Sequence, residues 1–224
     1  MATQYGISIG DGTVYHINTT NWATSRDATA GSAMASITSS GEAYAIRERA
    51  QSGRGGSVQY QVWRSFLAFD TSGISSAPSE GTLKVYGLTN TGADFFVVKS
   101  THTTTGGGLA LADFDAITGW SAGADNEGNV TKYSSEITSW STSGYNDITL
   151  NSTALSDMSS LDTFKVCLIG SVYDLRNVAP TPNYDGITGM YYTDNTGTSK
   201  DPYIDYEAAV VSVTYDANFF GANF

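Results

Sequence analysis

The residues able to do chemistry are few and far apart. His16 in Val14-Tyr-His-Ile17 and His102 in Ser100-Thr-His-Thr-Thr-Thr-Gly106 are the two histidines, the side chains whose ordinary pKa suits a general base near neutrality. Neither sits in a Gly-x-Ser-x-Gly elbow or a comparable nucleophile motif. Strand alternation puts His16 on an outward face, and its polar, Gly-bounded setting puts His102 in an exposed loop. The lone cysteine, Cys167, falls in the apolar run Phe164-Lys-Val-Cys-Leu-Ile-Gly170, where a thiol is a small buried hydrophobe. One cysteine makes no internal disulfide and no multi-cysteine metal centre.

Paired carboxylates would be needed for glycoside hydrolysis. Asp113 and Asp115 flank Phe114, and Asp194 and Asp201 border the loop 195–200. Nothing adjacent would hold one acid protonated beside its ionised partner, and Asp113 reads as a carboxylate at a helix start. Asp125-Asn-Glu-Gly-Asn129 offers calcium-type oxygens around a turn glycine, without the spacing of an EF-hand loop. It reads as a solvated acidic loop. The expectation is no catalytic group, no metal and no cofactor.

Three sets of residues suit binding. Arg47 and Arg49 share one face of a strand with Glu48 on the other, and Arg54 follows; the patch suits an acidic protein neighbour or internal ion pairs. Arg64 is placed to bond Asp70 or the carbonyls of its turn. Trp22, Trp120 and Trp140 lie in stretches rich in Ser, Thr, Gly and Asn. They suit either stacking on a sugar ring or capping the ends of a sandwich.

The elements that must position these residues are strands. Ser57-Val-Gln-Tyr-Gln-Val-Trp63 alternates, which sets Val58, Tyr60 and Val62 on one face. Further strands are read at 42–49, 66–69, 83–87, 95–99, 145–150, 164–170, 189–193 and 203–206, with weaker ones at 4–9 and 13–17. Short helices are expected over 109–117 and 152–161. Many short strands separated by turn residues predict an all-β antiparallel sandwich of jelly-roll type. It is expected to span residues 42–206, after an N-terminal segment 1–41 of short strands or an arm.

Residues 207–224 form a separate C-terminal arm in this reading. Val211, Val213 and Tyr215 alternate like a strand, and Phe219, Phe220 and Phe224 follow among small residues. Burying one Phe stabilises by about 1.5–3 kcal/mol. The arm either folds back on its own domain or docks on a neighbouring subunit; the expectation is docking, because the sandwich has strands enough to close its core.

Composition narrows the role. Among 224 residues, Asp and Glu total 22 against 11 Lys and Arg, a net charge of -11. That balance argues against binding a nucleic-acid backbone, which needs clustered cations. No apolar run has the length of a membrane helix. The first residues lack the basic and apolar regions of a signal peptide, so the chain is expected either to be made without one or to have lost it. Three Asn-x-Thr triplets carry no weight in so Thr-rich a chain.

Trp63-Arg-Ser-Phe-Leu-Ala-Phe-Asp-Thr-Ser-Gly-Ile74 and Gly81-Thr-Leu-Lys-Val-Tyr-Gly87 resemble the opening of DNRLRE-type jelly-roll modules. Asp113-Phe-Asp115, 145–155, 164–170, 191–194 and Gly197-Thr-Ser-Lys-Asp-Pro-Tyr-Ile-Asp-Tyr206 are similar to later segments of that group as it occurs in phage and prophage proteins. The resemblance covers about residues 42–206 and omits both ends. It implies the jelly-roll fold, and with the polar surface it implies a bacteriophage virion protein, assembled in the host cytoplasm. The expected role is capsid decoration, cement or appendage, as a homo-oligomer bound to a major capsid protein or another virion protein. The alternative is a carbohydrate- or receptor-binding module. Fold alone decides neither.

Overall fold

A computed structural model describes residues 1–18, 21–35, 42–193 and 197–209. The described residues form eleven strands: β1 (Ala2–Tyr5), β2 (Gly12–Asn18), β3 (Ala33–Ala35), β4 (Glu42–Ser52), β5 (Val58–Asp70), β6 (Glu80–Asn90), β7 (Phe95–Lys99), β8 (Tyr145–Thr149), β9 (Thr163–Gly170), β10 (Asp185–Tyr191) and β11 (Tyr203–Glu207). Every pairing between them is antiparallel. The all-β, sandwich-like class expected from alternation is the one observed.

Two long strands organise the sheets. The first sheet runs β1–β11–β6–β8. At Gly87 the strand β6 leaves β8 and pairs with β10 of the second sheet. A side chain at Gly87 would collide with the Ser141 carbonyl, so the crossing demands glycine. The second sheet runs β10–β4–β5–β2–β3, with β9 and then β7 added along the far half of β5. One edge of β5 meets β2 over residues 60–66; the other meets β4 over 58–63 and β9 over 65–70. Arg64 therefore sits at a fork where β4 and β9 part.

The second sheet is buried on both faces along β5, β9 and β7. Leu67, Phe69, Phe164, Val166 and Leu168 face Leu83, Val85, Ile148 and Ile204 of the first sheet. Phe66, Cys167, Ile169, Phe96 and Val98 face Phe114, Ile117 and Val130 from a layer of loops, together with Trp22. A strand covered on both sides needs no polar alternation, which explains the apolar run 164–170. Val62 and Tyr60 also turn to the second core, as alternation requires.

Residues 1–41 contribute three strands to these sheets. β1 begins sheet one beside β11, and β2 lies beside β5. The helix over 152–161 is present as α2 (Ser152–Ser160), capped by the Asn151 side chain, which accepts from the Ala154 N–H. The other expected helix is absent. Over 109–117 there is one tight turn, Leu111–Asp113. Asp113 spends its carboxylate on the N–H groups of Ala110 and Thr103 and the Thr103 hydroxyl, the local bonding that competes with helix. A short helix not foreseen, α1 (Trp22–Arg26), is capped by Asn21.

Candidate functional site

The densest chemistry lies at the β5 fork. Arg64 is wholly buried and grips Asp174 through two bonds, Nε to Oδ2 at 2.8 Å and Nη2 to Oδ1 at 2.7 Å. Its remaining donors reach the Phe114 carbonyl at 2.8 Å and the Arg26 carbonyl at 2.9 Å. Arg26, also wholly buried, donates to the carbonyls of Asp174 and Ala124 and to Asp27 Oδ1. Both guanidiniums lie over the Trp120 ring, at 4.1 and 4.4 Å from its centroid, and Arg64 also lies over Phe114 at 4.2 Å. Planar cations bury well between aromatic faces and a bidentate carboxylate.

A fifth residue completes the cluster. Glu48 accepts from the Asp174 N–H at 2.7 Å, and its carboxyl lies against Gly170, where any side chain would overlap it. Burial, reinforced by the Asp174 charge, pushes the Glu48 carboxyl up to about 8. Glu48 is therefore uncharged at neutral pH, and the two arginines balance Asp174 and Asp27. The cluster ties α1, β4, β5, the 114–126 loop and the wide turn Ser171–Leu175 to one another. It is a structural latch, enclosed and fully bonded.

The latch corrects the expectation for Arg64. Asp70 instead bonds Ser72 in its own turn, while Arg64, six residues back along β5, is taken by Asp174. His102 is also corrected: it is wholly buried. Its Nε2 donates to the Gly10 carbonyl at 2.8 Å, and Nδ1 lies 2.9 Å from Ser100 Oγ. Burial depresses its pKa to about 4, so the ring is neutral. A Ser–His contact of this length suits nucleophile activation, but both side chains are sealed inside and tie a loop to the 8–10 turn. His16 is half-buried beside Phe114 instead of outward, and its pKa is lowered by burial and then by Arg64. Cys167 is buried and its thiol pushed up by burial.

The carboxylates are likewise engaged. Asp113 holds backbone donors, and Asp201 is buried; its suggested partner Asp194 lies outside the described residues. In the 125–129 loop, Asn126 is buried and bonded to Ser121 and Ala124. Glu127 is held down to about 2 by Arg176, with Lys132 beside it. Among the described residues no cluster of metal-ligating side chains forms.

The tryptophans named for sugar stacking are packing residues. Trp22 is buried with its ring edge-on to Tyr60, and Trp120 is covered by the two guanidiniums. Trp140 is half-buried against Phe95 and donates to the Gly189 carbonyl. The presented aromatics lie elsewhere. Tyr15 stacks on Trp63 with centroids 4.2 Å apart, and Tyr44, 40% exposed, tilts against the same ring at 5.6 Å. Arg47 lies 5.2 Å from the Tyr44 ring centre. The signal was available: with Val62 inward, Trp63 must face outward. Arg47 and Arg49 do share that outer face, but Arg47 is clamped on Asp185 by two 2.7 Å bonds, with Arg49 at 3.5 Å.

A groove of about 460 Å³ lies between β8 and the segment 134–139. β8 pairs with β6 along one edge. The bonds of Leu150 N to Gly81 O and of Gly87 N to Gly144 O fix the alternation, which turns the backbone groups of Asp147 and Thr149 away from β6 into the groove. Opposite them, in a segment that is not a strand, Ile137 exchanges both its bonds with Phe95, which leaves the backbone groups of Asp147 and Thr149 on one wall and of Glu136 and Thr138 on the other. Among the described residues these groups have no backbone partner. The interface candidates Val211, Val213, Tyr215, Phe219, Phe220 and Phe224 lie outside the described residues. No protein-family model matches the chain, and no curated protein matches it significantly.

Proposed function

We propose that this chain is a structural protein of a tailed bacteriophage particle, a capsid decoration, cement or appendage subunit that works by binding neighbouring proteins and copies of itself. One observation carries the reading. β11 is flanked by β1 and β6, and its last residue, Glu207, pairs with Glu80, the first residue of β6. The strand-patterned sequence 210–215 follows two residues after that last pair. A β-rich, aromatic segment in that position gains most from another polypeptide. Chemistry-bearing side chains locked into the latch fit a mechanical role, and an acidic surface keeps particles apart. The resemblance to phage DNRLRE-type modules supports the same assignment.

The test uses purified particles. An antibody to the folded domain should label them, and particles made with the gene ending after codon 209 should lack the protein. Incorporation of the shortened chain at the full-length level would remove the arm from the account.

A second reading, a carbohydrate-binding module, is favoured by the Tyr15–Trp63–Tyr44 face beside Arg47. Saturable polysaccharide binding that Trp63→Ala abolishes would promote it; no binding across a broad panel would end it.

A further inference from the structure

We infer that the groove between β8 and residues 134–139 is a strand-acceptor site, and that its occupant is residues 210–215 of a second copy of this chain. The inference rests on the assembly reading above and adds the receiving surface.

The groove has what an inserted strand requires. Asp147 and Thr149 of β8 turn backbone donors and acceptors toward it, and Glu136 and Thr138 line the other wall with backbone groups that have no backbone partner among the described residues. A strand entering the groove would pair with the edge of β8, between the ends where the Asn151 N–H meets the Tyr133 carbonyl and Asn146 bonds Ser141. Exposed edges of this kind are templates for pairing with another chain. Three of the lining residues are apolar, Ile137, Ile148 and Leu150, and Ile148 and Leu150 belong to the core. The rim is polar, and its acids are matched by cations: Asp147 by Lys84 and Glu136 by Arg176. In Val210-Val-Ser-Val-Thr-Tyr215 the pleat sends Val211, Val213 and Tyr215 to one face and Ser212 and Thr214 to the other. The Val and Tyr face would lie on Ile137, Ile148 and Leu150, and the Ser and Thr face toward the polar rim.

Geometry favours a second copy over the chain's own end. The groove lies three strand spacings from β11, across β6 and β8, which is about 14 Å. From Glu207 to Val210 an extended chain advances about 10 Å. The direct path is also crowded, because Leu155 and Leu150 pack over Gly81 at that end of β6. The same residues reach a neighbour's groove without that constraint.

The test uses full-length protein and Thr149→Pro. Proline there removes an N–H that points into the groove and takes no part in pairing with β6. Two differently tagged full-length copies should co-purify, a peptide of residues 208–224 should compete, and Thr149→Pro in both copies should weaken self-association at least tenfold while leaving the circular dichroism spectrum unchanged. Thr138→Pro on the opposite wall should do the same, which keeps the test valid if one variant misfolds. If deleting 210–224 abolishes association but both folded proline variants associate normally, the groove is wrong and the arm reading stands. If the deletion changes nothing, the arm reading itself fails. If the full-length chain stays monomeric and binds the peptide only after 210–224 are removed, the chain fills its own groove and the second-copy occupant is overturned.

Discussion

Glu48 and His102 are buried in different parts of the second sheet's surroundings, and burial shifts both toward their uncharged forms. The signs of their linkage to folding are opposite. Glu48 titrates at about 8 when folded against an ordinary 4.5, so between those values the folded chain holds a proton that the unfolded chain has lost, and stability falls as pH rises. His102 titrates at about 4 when folded against 6.5; its contribution is complete above 6.5 and is lost as pH falls toward 4. Between pH 4.5 and 6.5 the two slopes oppose one another. The groups facing Glu48 are Asp174 and Asp94 as charges and the N–H groups of Asp174 and Tyr173 as donors. Denaturant unfolding from pH 4.5 to 8.5 should therefore show Glu48→Gln gaining stability on wild type as pH rises, with the difference levelling above 8. A pH-independent difference would mean that Glu48 is ionised in the folded protein at neutral pH.

At the scale of elements, Asp174 is the joint through which β5, β4, α1 and the loop layer hold together. Asp174→Asn keeps an acceptor but removes the charge between two buried guanidiniums. Breaking a buried pair on one side costs about 3–5 kcal/mol. The midpoint of urea unfolding should drop accordingly, with amide exchange quickening first over 109–130; a change under about 1 kcal/mol would show the latch to be dispensable. The sequence made the strands legible, because alternation in 57–63 and the apolar run 164–170 report the environment of each residue directly. It did not show the latch. Arg64 meets Asp174 across 110 residues, and nothing local distinguishes that partner from Asp70. His102 was misread for the same reason: its Ser/Thr neighbours suggest a surface loop, while its burial depends on Gly10, 92 residues away. The helix over 109–117 failed because Leu109, Phe114 and Ile117 fit a buried loop as well as one helical face, and Asp113 bonds the backbone that the helix would need. Polar surroundings point to Trp22, Trp120 and Trp140, which are packed, whereas strand parity beside the inward Val62 points to Trp63.

The whole molecule is a two-sheet sandwich with an added loop layer, pinned by an enclosed ionic cluster, with a groove along the free edge of β8 and a strand-patterned sequence following β11. Complementary unsatisfied parts on one chain are the ingredients of self-assembly, and each copy in a lattice adds avidity because several contacts form at high effective concentration. Sedimentation velocity of the full chain beside residues 1–209, over a range of concentrations, tests that claim most directly. The full chain should sediment as a concentration-dependent oligomer and the shortened chain as a folded monomer; identical monomeric profiles for the two would contradict the account.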